Sequence, residues 1–407
     1  MRILLLNDYA TPTAGAERLT RNLRDALHVR GHDVRVLATR AQLIPGDSFA
    51  DVSCFGTTGR AQTLTSALNP WAFYALKREL RSFSPDVVQV HMHLWQLSPA
   101  ILPLLRAVSS VYYAMTLKAV CPTGLKWLPS GVPCTERAGS PCLRHRCVTV
   151  AGATPLMLQR YLWLRGRSTL GAVVATSHAV RSQLAADGVV VRDVVWPGTP
   201  VACARPRLEG RPTVTYAGRL VPEKGVALLL RSFRRVLEHI PNARLYVAGT
   251  GPEEAALRGL VSALGLAEAV EMIGQLDAER IPPRFAGAWA HAVPSCWPEP
   301  FGLTATEAMM RGTAVVASDI GGLKDSVEHD VTGLKVAPGD ERQLADALIR
   351  LLNDRELAER MGAAARQRAM RLFSMDRCVE EFEILYQQLL NPENNQARAL
   401  GRTVDTE

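Results

Sequence analysis

The sequence has no apolar run near the ~20 residues needed to cross a bilayer; a stretch such as Ala100 to Met115 is broken by Arg106 and polar residues. It also offers no signal-peptide core. Met1 to Leu6 is too short and stops at Asn7 and Asp8, so it reads as a buried first strand and the expected place of the chain is the cytoplasm. There is no low-complexity tract, which leaves disorder to be expected only at the end. No block of consecutive basic residues accompanies the net charge of +8, so a nucleic-acid partner is not expected. The charge is read as a diffuse solvated surface, with an anionic acceptor or peripheral contact at the inner membrane face left open.

What is present is a 407-residue chain with 47% hydrophobic and 21% charged residues, enough for two domains that each bury a core. Short β-rich runs alternate with helical periodicity, the pattern of parallel sheets covered by helices. Arg2 to Leu6 predicts a strand, and Leu19, Leu23 and Leu27 lie on one face of a helix closed by Gly31. Val34 to Leu37, Val87 to Val90 and Val173 to Ala175 predict further doubly buried strands. A Pro/Gly-rich stretch from Trp196 to Pro212 reads as a linker. The pattern then restarts with strands at 213–217, 245–248, 270–273, 290–294 and 314–317 and helices at 226–239, 253–264 and 303–311. From Glu341 helices dominate, and Ser374 is the expected N-cap of a last helix. The expected organisation is an N-terminal domain 1–198 with a cysteine-containing insertion 116–150, a C-terminal domain 199–373, a returning helix 374–391 and a disordered tail 392–407.

Ligands of open α/β sheets sit in loops after the strands. One such loop, Gly218 to Gly225, sets Arg219 and Lys224 before a helix N-terminus, a combination suited to a diphosphate without a metal. The loop before Leu303 carries Glu299, and Glu307 follows on the helix. A carboxylate accepts hydrogen bonds from vicinal sugar hydroxyls, and the first amides, Phe301 to Leu303, suit an anion. The glycine turns at Gly321-Gly322 and Gly333 read as structural. Gly249-Thr250-Gly251 lacks the third glycine of a dinucleotide fingerprint, which argues against dehydrogenase chemistry.

In order, GRLVPEKG, VAGTGPE, MIGQ, PSCWPEPFGLTATEAM, SDIGG and VTGL closely resemble the retaining glycosyltransferases of family 4. The resemblance implies an α/β architecture of the GT-B type: two Rossmann-like domains facing across a cleft, with the C-terminal helix crossing back to the first. It implies a UDP- or GDP-sugar donor, no required cofactor and no metal in catalysis. Arg219 and Lys224 would bind the diphosphate with Gly218 and Gly249 beside them, and Glu307 the ribose. Glu299, Pro300, Phe301, Gly302 and Leu303 would meet the transferred sugar, and the backbone near Ile273 and Gly274 the base. Gly15 matches the family's glycine loop, although the usual pair is here Ala14-Gly15, and Glu17 matches its glutamate. Family members with a cysteine segment carry a His-Asp pair before it; Met115 to Lys118 has neither residue. His91 and His93, expected at a strand end facing the cleft, are the candidates to stand in, with His91 taken as catalytic beside Glu299, Arg219 and Lys224; a metal pair or ordinary polar packing are the other readings.

Cys121, Cys134, Cys142 and Cys147 fall in one segment with His145. Clustered thiols in a cytosolic protein suggest structural zinc more than disulfides, yet the spacings are not paired C-x-x-C. Zinc, a redox-labile disulfide and buried thiols all stay open; the segment resembles an insertion on the acceptor side of family members. Cys54, Cys203, Cys296 and Cys378 are read as inert. Trp71, Phe73 and Tyr74, mixed with Lys77, Arg78 and Arg81, are expected on a helix with the aromatics facing the core. The expected function is transfer of a sugar to a glycan, glycolipid or small-molecule hydroxyl by a monomer or homodimer. A non-catalytic sugar-nucleotide-binding subunit and a sugar-nucleotide epimerase are the alternatives.

Overall fold

The computed structural model describes residues 1–44, 46–276 and 285–391. The tail expected at 392–407 lies outside the described residues.

The first half runs β1 (Arg2–Tyr9), α1 (Gly15–Val29), β2 (Asp33–Thr39), β3 (Val52–Cys54), α2 (Gln62–Ala67), α3 (Pro70–Ser82), β4 (Val87–Val90), β5 (Ser109–Ala114), α4 (Ser140–Arg144), α5 (Val150–Gly166), β6 (Ala172–Ala175), α6 (His178–Ala186) and β7 (Asp193–Val194). The strands form one parallel sheet in the order β3-β2-β1-β4-β5-β6-β7. The second half runs β8 (Thr213–Ala217), α7 (Val226–His239), β9 (Arg244–Ala248), α8 (Glu254–Ala263), β10 (Val270–Gly274), β11 (Ala290–Val293), α9 (Leu303–Arg311), β12 (Ala314–Ser318), α10 (Leu323–Ser326), β13 (Gly333–Val336), α11 (Glu341–Asn353), α12 (Arg355–Leu372) and α13 (Met375–Leu390). Its sheet is also parallel, in the order β10-β9-β8-β11-β12-β13.

Continuous apolar strands are what burial on both faces requires, and β4, β6, β11 and β12 are buried at every residue. α13 returns to the first sheet, as the resemblance implies. Its Val379, Phe382, Leu385 and Tyr386 share a core with Ile3, Leu5 and Tyr113. The Tyr386 hydroxyl donates to Gln89 Oε1 beneath them, and Glu383 receives His32 at 2.7 Å and Arg30 at 2.9 Å.

Two expectations are corrected. α3 buries Ala72, Ala75, Leu76 and Glu79, a helical face whose small residues lie against the protein, so Trp71 and Tyr74 turn outward at 53% and 67% exposure. His91 and His93 do not share a side. β4 ends at Val90, so the alternation of an extended strand no longer holds beyond it. His91 packs on Tyr113, whereas His93 packs on Tyr112 and Trp163. Tyr112 and Tyr113 are successive residues of β5 and belong to different cores. A metal pair is thereby ruled out for these two rings.

Candidate active site

The site begins where β8 ends. Gly218 N–H donates to Ala248 O and Gly249 N–H to Gly274 O, which lines up the loops after β8, β9 and β10. Ile273 is half-buried at the end of β10. A single 3₁₀ turn, Pro222–Lys224, then delivers Lys224 just before α7. Cys296 N–H donates to Glu223 O at 2.9 Å, fastening this loop to the one after β11.

Lys224 Nζ lies 2.5 Å from Glu299 Oε1 and 5.4 Å from the centre of the Trp297 ring. Ser295 Oγ donates to the same carboxylate at 2.6 Å. Burial opposes ionisation of Glu299, but the Lys224 ammonium and these hydrogen bonds outweigh it and hold the carboxyl below its ordinary range. The backbone of Glu299 is braced in turn, because Gly322 N–H donates to Glu299 O at 2.7 Å. The Gly321-Gly322 turn is thus the support of the Glu299 loop.

Pro300 and Phe301 lead to Gly302, whose φ of +92° suits glycine alone here, since a Cβ would come within 2.4 Å of Leu323. That kink starts α9 at Leu303, where the first amides have no helical acceptor. The start of α1 meets the start of α9: a Cβ on Gly15 would lie 3.0 Å from Leu303 Cδ1. Two helix N-termini, both partially positive, therefore face one place between the halves. Glu17 is 4% exposed; its Oε2 accepts the Ala14 N–H at 3.2 Å, a half capping box at the start of α1. Burial raises its carboxyl above the ordinary value.

The structure thus gathers Gly15, Lys224, Glu299 and the 300–303 turn. Glu307 joins them through Arg18, whose Nη2 stands 3.6 Å from Glu307 Oε1 across the halves. Arg219 does not reach the pair; it is 57% exposed and lies 3.7 Å from Glu223. His91 does not open to the cleft as expected. It is 1% exposed, Thr20 Oγ1 is 2.7 Å from its Nδ1, and burial lowers its pKa to about 3, so it is neutral.

Sequence reasoning missed Arg18, Asp8 and Lys118. Asp8 sits at the carboxyl end of β1 and accepts the N–H groups of Trp95, Gln96 and Leu97 at 2.9, 2.8 and 2.8 Å. Burial pushes its pKa up to about 6 despite those bonds. Lys118 is 7% exposed, donates to Pro122 O and lies 4.1 Å over the Trp95 ring; burial lowers its pKa to about 8. The only sequence signal for Asp8 is a charged residue soon after the apolar run 3–6. Met115, within the 115–118 stretch that the resemblance aligns with a His-Asp pair, is buried in the core with Tyr113.

The four clustered cysteines are free and half-buried, which corrects the buried-thiol reading. They line one cavity together with Glu136 and His145. Among the described residues, no three His, Cys, Asp or Glu side chains converge tightly enough to hold a metal ion as they stand. No described helix is long and apolar enough to cross a membrane.

The description "Glycosyltransferase Family 4" matches residues 13–202 and "Glycosyl transferases group 1" residues 204–368. The D-inositol 3-phosphate glycosyltransferase of Nocardia farcinica is 31% identical over 75% of this chain and 67% of its own length. Other curated relatives are matched over less than half of their length. Among solved structures, a sucrose-phosphate synthase from Thermosynechococcus elongatus superposes with a TM-score of 0.74 at 23% identity, covering 96% of this chain and all (100%) of that one. Anabaena HepE in complex with UDP-glucose gives 0.69 at 19% identity, over 95% and 100% of the two chains. These two likenesses establish the GT-B fold, and with the matched relative and the two family regions they place the chain among the family 4, group 1 glycosyltransferases.

Proposed function

We propose that this protein is a retaining transferase that moves a sugar from a UDP- or GDP-sugar to an acceptor hydroxyl at the cytoplasmic side, without a catalytic metal. The observation that carries the reading is the convergence of the Lys224–Glu299 pair and Glu307 on the place where α1 and α9 begin. Lys224 and the helix ends meet the diphosphate, and Arg219, exposed on the same loop, swings to it when donor binds. Glu307 leaves Arg18 to accept the ribose hydroxyls, and Glu299 with the 301–303 amides orients the sugar. The bond between the anomeric carbon and the phosphate oxygen breaks as the acceptor oxygen bonds that carbon from the same face. The hydroxyl proton passes to the leaving phosphate, whose growing charge the cation and helix dipoles stabilise. The complex of HepE with UDP-glucose supports a nucleotide-sugar donor in this fold.

A second reading, a sugar-nucleotide-binding subunit without turnover, is favoured by Met115 and by the closed environment of His91. A thermal-shift screen of UDP- and GDP-sugars, followed by assay of hydrolysis and transfer, separates the two. Stabilisation by a donor with slow release of its nucleotide supports the transferase. Stabilisation with no turnover, alone or with cell extract, selects the subunit, and no stabilisation by any donor overturns both. Conversion to an isomeric nucleotide sugar without acceptor would select an epimerase.

A further inference from the structure

Residues 121–149 lie outside the hydrophobic cores. Only Pro122, Gly124 and Lys126 of this segment are buried, and its regular structure is the five-residue α4. A segment of this length with so little apolar burial needs another source of order. It contains four of the chain's eight cysteines, all free and all lining one cavity.

We propose that Cys121, Cys134, Cys142 and Cys147 form a tetrathiolate site for a thiophilic divalent cation of the zinc class. Two backbone devices bring the thiols together in pairs. α4 ends with Cys147 N–H donating to Cys142 O and Arg146 N–H to Leu143 O, both at 2.9 Å, with Arg146 left-handed at φ 55°. This kind of helix ending commonly turns the side chains of its first and last residues, here Cys142 and Cys147, toward each other; both line the same cavity, and their C-x₄-C spacing lies within the range of metal knuckles. At the other pair, Lys126 N–H points at Cys121 Sγ at 3.4 Å, and Lys126 O accepts the Cys134 N–H at 2.7 Å. One residue thus ties both thiols, and its amide is placed to stabilise a thiolate.

Charge and ligand choice agree with this assignment. A divalent ion on four thiolates carries a net charge of −2, each thiol having released its proton to solvent. From Lys118 to Thr149 the chain has five Lys or Arg residues and one acid, Glu136. That acid is engaged by His145 at 2.8 Å, which leaves sulfur as the available donor set. Sulfur-only tetrahedral sites select zinc-like ions over hard cations. Because three ligands do not converge beforehand, the cation must draw the side chains inward, so binding and ordering of the segment are coupled.

The test uses the full chain purified without added metal or reductant. Elemental analysis is expected to give one zinc per chain, reduced at least tenfold by the double variant Cys142→Ser/Cys147→Ser and unchanged by Cys203→Ser, an exposed cysteine elsewhere. In the wild-type chain, chelation followed by Co²⁺ should produce the strong sulfur-to-cobalt charge-transfer absorption of thiolate ligation. Loss of metal should also speed tryptic cleavage after Lys126, Arg137, Arg144 or Arg146. The wild-type measurements do not depend on whether the variants fold. Fewer than half the chains loaded after zinc is supplied, iron–sulfur absorption, or mapped disulfides among the four residues would each overturn the assignment.

Discussion

The two sheets are built alike, yet they treat buried charge in opposite ways. In the C-terminal half Glu299 is buried against Lys224 and Ser295 and stays ionised. In the N-terminal half Asp8 is equally enclosed but is met by backbone amides, and it is raised to about 6. Lys118 nearby donates to a carbonyl and is lowered to about 8. A carboxylate held by a mobile cation can exchange that cation for a ligand, whereas one held by amides is fixed in place. The first half therefore reads as scaffold with poised groups, and the second as a place where charge is handed over.

The largest effect expected from this contrast falls on Lys224 and Glu307. Lys224→Ala and Glu307→Ala should each lower kcat/KM for transfer by about 10²–10³-fold, the scale of losing an electrostatic stabiliser. Circular dichroism should show both still folded, because an abandoned Glu299 can take up a proton. Normal kinetics in both variants would remove the site assignment. Asp8→Ala should do the reverse. Three backbone amides, those of Gln96 and Leu97 buried, lose their acceptor, and at ~1–3 kcal/mol for an unsatisfied buried group the urea midpoint should fall strongly. A midpoint equal to wild type would show that Asp8 does not anchor the 95–97 loop.

Acidification gives the next, smaller difference. His91, His93 and His291 are each lowered by burial from 6.5 to about 3. Between those values the unfolded chain binds protons that the folded chain does not, so stability present near neutrality is lost as pH falls below 6.5. Asp8 has the opposite sign: its pKa is raised from 3.8 to about 6, and its contribution is lost as pH rises through 6. Glu17, Glu253 and Glu381 are raised by burial as well and share that sign, so the histidines are least opposed above pH 6, where stability should rise toward pH 6.5 by up to ~1.4 kcal/mol per unit for each unopposed group. Among the described residues neither ring nitrogen of His93 has a hydrogen-bond partner, so His93→Phe should flatten that slope in urea titrations. An unchanged slope would show that the ring is reached by water.

The same contrast explains what the sequence disclosed. In the second half, strands β8 and helices α7 and α9 fall at the residues expected from periodicity, because loop motifs and long amphipathic faces mark their ends. In the first half β5 carries no such mark. Its Ser109 and Ser110 interrupt the apolar signal, and the short edge strands β3 and β7 carry too few residues to show a period. The aromatics of α3 are expected inward because helical aromatics usually pack on the core; the small residues opposite them decide the orientation. Lys224 and Glu299 were legible as loop residues, but their pairing depends on the Cys296–Glu223 and Gly322–Glu299 backbone bonds, which no local pattern encodes.

Arg18 is where the contrast can be sharpened most finely, since it brings a charge from the N-terminal half to a carboxylate of the C-terminal half. At 31% and 29% side-chain exposure the Arg18–Glu307 pair lies 3.6 Å apart, so as an ion pair it is worth only ~0–1 kcal/mol. Arg18→Ala should therefore leave the melting temperature nearly unchanged. Its effect belongs to the donor: if Glu307 must release Arg18 to accept a ribose, removing the arginine frees the carboxylate but also deprives the diphosphate of a nearby cation. The second loss should dominate, because a diphosphate offers the guanidinium more negative charge than the single half-buried Glu307 carboxylate does. Calorimetry should show donor binding weakened several-fold, and more so at low salt. Tighter binding would instead identify Arg18 as a latch that competes with the donor for Glu307.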